Sequence, residues 1–413
     1  MEEGDKFPWF NDGDVLIVLT AARQFKLHRN VLRNASPTLN RLLHDTFVTR
    51  TGKTLPKRLR QPGKIIRHRL SGEPNDGDDF LPNVTLQPVH LDEYGQPLVP
   101  DILPPLPLTF ENGRAVNPVY PAYEMVLGAM YNRDLDFGDF DVTSLDDILE
   151  KAQHVLLVAE YLQVVHLITK SIEASLLATG QAVYRAIADM PAAWLLLAYR
   201  MQCKSIFKEA LIHVTGQYNT PEVRATINNF PNSVRKIVED KVNTVRGGLE
   251  VAQQSIMAHY PSNITRDAFG DKAKLTKDSY ASDVVTWMAV AAYRQWMGMN
   301  LVRDKTHQAN DMGFAFFSQL HKGGEAYLGR EALEQFAKLF PMSPKLTSVL
   351  RERLLGIKDT VKESFAAPFM ENKSQLDTST YSHGFFTCTY VDSADFPWLM
   401  EEQEEDESSE DEH

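Results

Sequence analysis

The chain has 413 residues, 43% of them hydrophobic and 24% charged, which is the composition of a globular protein with a large core and two or three domains. Its two cysteines are too few for a disulfide framework or a cysteine zinc site, its acidic first residues are unlike a signal peptide, and no apolar run is long enough for a membrane span. We therefore expect an intracellular protein, in the nucleus, the cytoplasm or both.

The net charge of -12 is concentrated at one end of the chain. Residues 401–413 carry nine acidic side chains and no Lys or Arg, so the remaining residues are close to neutral. A block of like charge this dense repels itself and has little apolar surface to bury, which predicts a disordered acidic tail over 400–413. Solubility is its simplest role, and acid-directed phosphorylation of Ser408 and Ser409 is a further hypothesis.

A buried hairpin is predicted near the N-terminus. Residues 14–19 include five apolar residues, which is typical of a strand buried on both faces, and residues 23–28 alternate as its partner strand would. A short helix follows. Ser36 and Pro37 then form a helix start, and the next helix has an apolar face made of Leu39, Leu42 and Leu43.

Residues 46–121 interrupt this pattern with charge and proline. Eight basic residues and no acidic one lie between Arg50 and Arg69, and ten prolines lie between Pro74 and Pro121. Because proline blocks helices, we expect mostly a long loop with one or two short strands. Three interpretations of the basic stretch are open: a solvated loop, a nuclear-import signal, or a contact to nucleic-acid phosphates that does not read the bases. The candidate residues for import or nucleic-acid contact are Lys57, Arg58, Arg60, Lys64, Arg67 and Arg69.

Helices resume after the interruption. Tyr123 and Val126 begin one apolar face, and Ser144 is placed to cap a second helix with acidic residues in its first turn. The inward stripe of that second helix is predicted to be Ile148, Ala152, Val155, Ala159 and Leu162. A third helix is expected over about 164–177.

The order of two strands, two helices, an interruption and three helices resembles a BTB/POZ domain, in the style of fungal BTB-domain proteins. The resemblance covers 12–44 and 122–178, and its motifs are GDVLIVL, FKLHRNVLRNASPTLNRLL, YEMVLGAMYNRDLDF and DILEKAQHVLLVAEYLQVVHLI. It implies an α+β fold, with a small sheet and helices in a BTB/POZ domain at 12–178 that carries an insertion at about 46–121. An all-α C-terminal region is expected to follow.

This resemblance implies a non-enzymatic scaffold for protein–protein interaction. BTB domains dimerise through the first strand and the short helices after it, so a homodimer is expected, with an interface formed by Leu16, Val18, Leu39, Leu42 and Leu43. One alternative is a nuclear regulator of transcription or chromatin. Another is a substrate adaptor of a cullin-based ubiquitin ligase, although Tyr123-Glu124-Met125 lacks the third-position carboxylate that such adaptors carry.

The C-terminal half is predicted to be helical and resembles a BACK-type region over about 182–378. A long helix is expected from Thr220 to about Tyr260, with a break at Gly247-Gly248. Further helices are predicted at 282–302, 305–321, 325–340 and 343–366, with Gly323-Gly324 as helix ends. The segment 379–399 is a candidate strand.

Catalytic motifs are absent from the sequence. It contains no phosphate-binding loop, GxSxG, HExxH or GxGxxG after a strand. Asp14 with His28, and His383 with Cys388, are pairs better explained by packing and local hydrogen bonds. We therefore expect no enzyme activity, no cofactor, no metal site and no base-specific nucleic-acid binding, and the partner proteins are not identified by the sequence.

Overall fold

The structure is a computed structural model that describes residues 6–19, 23–44, 66–70, 84–88, 109–111, 114–138, 143–261, 277–302 and 306–399. The chain divides into two compact units. The first is Met1–Val183 with Arg200–Cys203, and the second is Tyr184–Tyr199 with Lys204–His413.

The first unit contains a four-stranded sheet with the strand order β2-β1-β3-β4. Its strands are β1 (Val15–Val18), β2 (Gln24–Leu27), β3 (Ile66–Leu70) and β4 (Leu86–Pro88). β1 and β2 are antiparallel, with Val15 opposite Leu27, and β1 and β3 are parallel, with Val15 opposite Ile66. The predicted hairpin is confirmed. The continuous apolar run of β1 follows from its place between two strands.

The proline-rich interruption contains more strands than the sequence suggested. β3 and β4 lie within it, and so does the antiparallel pair β5 (Thr109–Glu111) and β6 (Arg114–Val116). The expectation of one or two strands was too low. In β3 the alternation of Ile66, His68 and Leu70 with two arginines fits a strand, but the basic charge around it favoured a loop. The other residues of the interruption lie outside the described residues, apart from those beside β4 and before α3.

Helices of the first unit start close to the predicted positions, except α3, which begins at Val119 inside the segment expected to be a loop. They are α1 (Arg29–Ala35), α2 (Pro37–His44), α3 (Val119–Ala129), α4 (Leu145–Leu162) and α5 (Val165–Ala178). Ser36 Oγ accepts the backbone N–H of Leu39 at 3.0 Å, which caps α2. Ser144 and Asp147 form a capping box at the start of α4, and the whole predicted inward stripe of α4 is buried.

The second unit is built from helices. Helices α6 (Gln181–Asp189) and α7 (Pro191–Met201) contribute to both units. They are followed by α8 (Lys204–Gly216), α9 (Pro221–Ile227), α10 (Asn232–Ala258), α11 (Lys277–Val302), α12 (Phe314–Lys322), α13 (Arg330–Leu339), α14 (Pro344–Val361) and α15 (Ala367–Met370). Helix α8 is buried on nearly every side, so it lies at the centre of this unit.

The predicted α+β class is wrong. Helices account for most of the described residues, whereas each described strand has only three to five residues. The class was implied by the resemblance to a BTB/POZ domain over 12–178, in which the predicted strands are a small part of the chain. A local strand signal does not set the class of a protein this long.

The long helix expected from Thr220 to Tyr260 is two helices. The break falls at Pro231, because proline cannot continue α9 but is tolerated at the start of α10. Helix α10 then runs without interruption through Gly247-Gly248, so the predicted break there is wrong. A Cβ atom at Gly248 would lie 3.3 Å from the Phe369 ring, which shows that this glycine allows a close approach of two elements.

One hydrophobic core joins α10 to α14 and the residues that follow. Within it, the Trp296 ring lies between the rings of Phe316 and Tyr327, at centroid distances of 6.0 and 4.4 Å. Lys358 is buried in α14 and donates to the backbone oxygens of Gly324 at 2.7 Å and Leu328 at 3.0 Å. Burial lowers the pKa of Lys358. The two hydrogen bonds offset the cost of burying this side chain and fix the connection between α12 and α13.

Residues 371–399, here called the C-terminal segment, pack on the helices of the second unit without forming a strand. The candidate strand at 379–399 is therefore replaced by irregular chain, a short 3-10 turn at Ser393–Asp395 and helical residues at 397–399. Phe386 is buried against Phe314, Phe317 and Phe369. Further along, Asp395 pairs with Lys241 at 2.6 Å. These contacts make the segment part of the helical core.

Candidate protein-interaction site

Helix α13 carries an apolar stripe from the core out to the surface. Leu333 is buried and Phe336 is half-buried, but Leu339 and Phe340 are 77% and 55% exposed. The helix ends here because Pro341 follows, and proline disfavours helical backbone in the residue before it. We call Phe336, Leu339 and Phe340 the apolar corner.

The rings of the apolar corner are ordered by contact with the core. The Phe336 and Phe340 rings lie 4.8 Å apart at 34°. Phe336 also packs on the hydrophobic core of the second unit. The core therefore fixes the Phe336 ring, while the neighbouring Phe340 ring stays exposed. Side chains that contribute most to protein binding are usually supported by packed neighbours in this way.

Two basic residues lie close to the apolar corner in the sequence. Lys338 and Lys345 are both exposed, and the sequence contains no acidic residue between Glu334 and Glu352. Glu334 itself is engaged, since it accepts a hydrogen bond from Arg330 at 2.8 Å. The local field therefore favours a partner that combines apolar and acidic side chains.

Comparison with known families gives a match in this part of the chain. Residues 261–367 are similar to the fungal FF domain. The match covers about a quarter of the chain and includes α11 to α14, so the apolar corner lies within the FF-like region. No curated protein and no solved structure matches the chain.

The BTB/POZ resemblance is wrong. The family that matches is a helical FF domain in the other half of the chain, and no BTB/POZ family matches. The BACK-type region was inferred from the same resemblance and has no remaining support. The motif residues have local roles that many folds require: Asp14 accepts the backbone N–H of Arg29 at 2.7 Å, and Ser36 Oγ donates to Leu162 O at 2.6 Å.

The FF-like region does not contain its whole core. The cluster of buried residues around it includes five that lie outside 261–367, namely Val245, Leu249, Ala252, Ile256 and Phe386. The first four come from α10 and the last from the C-terminal segment. Helix α10 before the matched region and the C-terminal segment after it therefore complete the core on which Phe336 packs.

The residues predicted to form a dimer interface lie mostly inside the first unit. Leu16, Leu39 and Leu43 are buried within the chain, whereas Val18 and Leu42 are half-buried. Only the last two thus keep surface for a second copy. The homodimer stays a prediction.

Most of the predicted charged sites lie outside the described residues. This applies to Lys57, Arg58, Arg60 and Lys64 of the basic stretch, and to Ser408 and Ser409 in the tail. Arg67 and Arg69 are in β3. Nuclear import, phosphorylation and the cullin and chromatin alternatives stay predictions.

The two residue pairs that could have suggested catalysis have other partners. His28 Nε2 lies 2.9 Å from Asp12 Oδ1, which lowers the pKa of Asp12, and its backbone N–H donates to Tyr131 Oη at 2.8 Å. Burial raises the pKa of the Cys388 thiol to about 11, so it is protonated at neutral pH and a poor nucleophile. The His383 ring packs on Phe385 and Phe314.

No metal cluster and no membrane span is found in the described part of the chain. No group of three or more His, Cys, Asp or Glu residues there is arranged to hold a metal ion. None of the described helices is both long and apolar enough to cross a bilayer.

The apolar corner was not predicted from the sequence, although Leu339 and Phe340 directly before Pro341 are a visible signal of an apolar helix end.

Proposed function

We propose that the protein binds other proteins through the apolar corner of its FF-like region. The observation that carries this proposal is the pair Leu339 and Phe340, exposed side by side at the end of α13. FF domains are in general protein-interaction modules. Adjacent exposed apolar side chains of this size are unfavourable in water and become favourable when a partner covers them.

The chemistry of the partner follows from the surroundings of the apolar corner. Lys338 and Lys345 flank it, so the partner segment carries Asp or Glu beside at least one large apolar side chain. Residues 401–413 of this chain contain no apolar side chain, so Met400 is the one large apolar residue of the acidic tail. We assign the partner as a segment of another protein.

The test compares two double variants of the full chain. Leu339→Ser with Phe340→Ser removes the apolar corner. Met190→Ser with Val251→Ser removes two other exposed apolar side chains, which are 60% and 62% exposed, and serves as the matched control. Binding partners are captured from the native cell by the wild-type protein and both variants and quantified by mass spectrometry. The captured partners are then measured individually by isothermal titration.

We expect the corner variant to lose at least one partner with about a tenfold or larger drop in affinity, because exposed aromatic anchors dominate binding energy. Lys338→Glu with Lys345→Glu should weaken the same partner, and added salt should weaken the wild-type complex. Equal binding by the corner variant and the control, with unchanged thermal unfolding in both, would refute the proposal.

A further inference from the structure

The first unit contains a groove between α3 and α4. Its volume is about 760 Å³, and its apolar floor is made of Pro121 and Met125, which are half-buried, over Phe7 and Val155, which are buried. Gly128 also lines it, and a Cβ atom added there would meet the Phe7 ring at an ordinary contact distance of 3.7 Å. The residues that line the groove include none of the apolar corner. We call it the α3–α4 groove.

Carboxylates outnumber cations around the α3–α4 groove. Five acidic side chains line it, namely Glu124, Asp134, Asp136, Asp147 and Glu150. The basic side chains that line it are Arg23, Arg133 and Lys151. His154 is the remaining titratable group that faces it from α4.

Two of the basic side chains are engaged at the walls. The Arg133 guanidinium lies 5.0 Å from the centre of the Phe7 ring, and Lys151 Nζ donates to Phe137 O at 3.3 Å. Two of the acidic side chains are also engaged, since Asp136 accepts from Gly138 and Asp147 belongs to the capping box of α4. The other three acidic side chains that line the groove are Glu124, Asp134 and Glu150.

Glu124, Asp134 and Glu150 are exposed and form no ion pair with any described residue. They come from α3, from the chain after α3 and from α4, so they surround the apolar floor rather than cluster at one point. Among the described residues no acidic group is close enough to others to hold a metal ion. Spread-out carboxylates around an apolar floor fit an elongated ligand with several separated cations.

We propose that the α3–α4 groove binds a segment of a partner protein that carries Lys or Arg residues with apolar residues between them. The apolar side chains contact the half-buried Pro121 and Met125, and the basic ones pair with Glu124, Asp134 and Glu150. The groove does not depend on the FF-like region. The protein thus has two binding surfaces, one for acidic and one for basic partner segments.

The test uses a displayed library of random twelve-residue peptides, selected on the full-length protein at low salt. Recovered peptides are synthesised with a fluorescent label and their affinities are measured by anisotropy. The groove variant is Glu124→Gln with Asp134→Asn and Glu150→Gln, three isosteric changes at exposed positions. The control, Glu222→Gln with Glu239→Gln and Asp240→Asn, removes the same charge from exposed positions on α9 and α10. Thermal unfolding of both variants verifies that they fold.

We expect the recovered peptides to be enriched in Lys and Arg and to bind the groove variant at least about tenfold more weakly than the control. Replacing their basic residues with Glu should abolish binding. Recovery of no peptide, of peptides without basic enrichment, or of peptides that bind both variants equally overturns the proposal.

The basic stretch of this chain is the alternative occupant. The selection is therefore repeated on a variant with Lys53, Lys57, Arg58, Arg60 and Lys64 replaced by Gln. Groove-dependent peptides recovered only from this variant would show that the chain fills its own groove, and would overturn the assignment to a partner protein. Groove-dependent peptides recovered from both support the assignment.

Discussion

The carboxylate of Glu209 accepts the backbone N–H of Gln375 with both of its oxygens, at 3.1 and 2.9 Å. Glu209 is buried in α8 and also accepts from His213 Nε2 at 3.0 Å. The two partners are 166 residues apart in the chain. The charge of a buried carboxylate is thus satisfied by the backbone of the C-terminal segment and by one imidazole.

Replacing Glu209 with Ala should lower the free energy of unfolding by about 2–3 kcal/mol, because a part-buried N–H and a buried imidazole lose their acceptor. Glu222→Ala, at an exposed position on α9, should change it by less than about 0.5 kcal/mol. Urea unfolding followed by circular dichroism measures both values. Similar effects of the two substitutions would mean that the Glu209 contact contributes little.

Two glycine substitutions should act in opposite directions. A Cβ atom at Gly216 would lie 2.0 Å from Phe386 O, so Gly216→Ala forces backbone to move and should destabilise the protein by about 1–3 kcal/mol. A Cβ atom at Gly247 would meet nothing within 4 Å, and this residue is inside α10, so Gly247→Ala should stabilise by about 0.5–1 kcal/mol. Differential scanning calorimetry gives the sign of each change. A stable Gly216→Ala protein would contradict the close packing of α8 on the C-terminal segment.

The FF-like region should not fold alone. A fragment of residues 261–367 loses the four core residues of α10 and Phe386, each worth about 1–3 kcal/mol when buried. A fragment of residues 184–399 keeps them. We expect a cooperative thermal transition by circular dichroism only for the longer fragment. If the short fragment unfolded cooperatively at the same temperature as the longer fragment, the flanking residues would be dispensable for folding.

The Cys388 thiol should react slowly. With its pKa raised from 9 to about 11, alkylation near pH 8 should be about 100-fold slower than for an exposed thiol. Mass spectrometry of alkylated peptides separates it from Cys203, whose pKa is also raised by burial. The same measurement in denaturant should show fast labelling of both.

The raised pKa of Cys388 also predicts a pH dependence of stability. Between about pH 9 and 11 the unfolded state loses this proton while the folded state keeps it, so the free energy of unfolding should fall as pH rises. Cys388→Ala should reduce that slope. An unchanged slope in the variant would assign the alkaline sensitivity to other groups, such as Tyr381.

Elements that depend on neighbouring residues could be predicted from the sequence. Ser36 and Ser144 cap their helices through atoms three residues away, and the apolar run in β1 indicates that this strand is buried. The break at Pro231 was missed because the two glycines in α10 were given more weight than a proline between two helical patterns. Gly248 is explained only by the Phe369 ring, which lies more than a hundred residues later.

The candidate site could be predicted only in part. The sequence shows that Leu339 and Phe340 precede a proline, but their exposure depends on where the core of α11 and α14 ends. The same holds in reverse for three residues of the predicted interface, since Leu16, Leu39 and Leu43 fill the core of the first unit. A pattern of apolar residues does not distinguish a surface that a partner covers from one that the chain itself covers.

The position of Phe386 has a consequence for the order of events during synthesis. Its ring fills a space among Phe314, Phe317 and Phe369, which all leave the ribosome earlier. Until residue 386 emerges, those three rings surround a gap and are open to water or to chaperones. Any product that terminates before this point keeps the gap, so nascent chains should gain protease resistance late and in a single step.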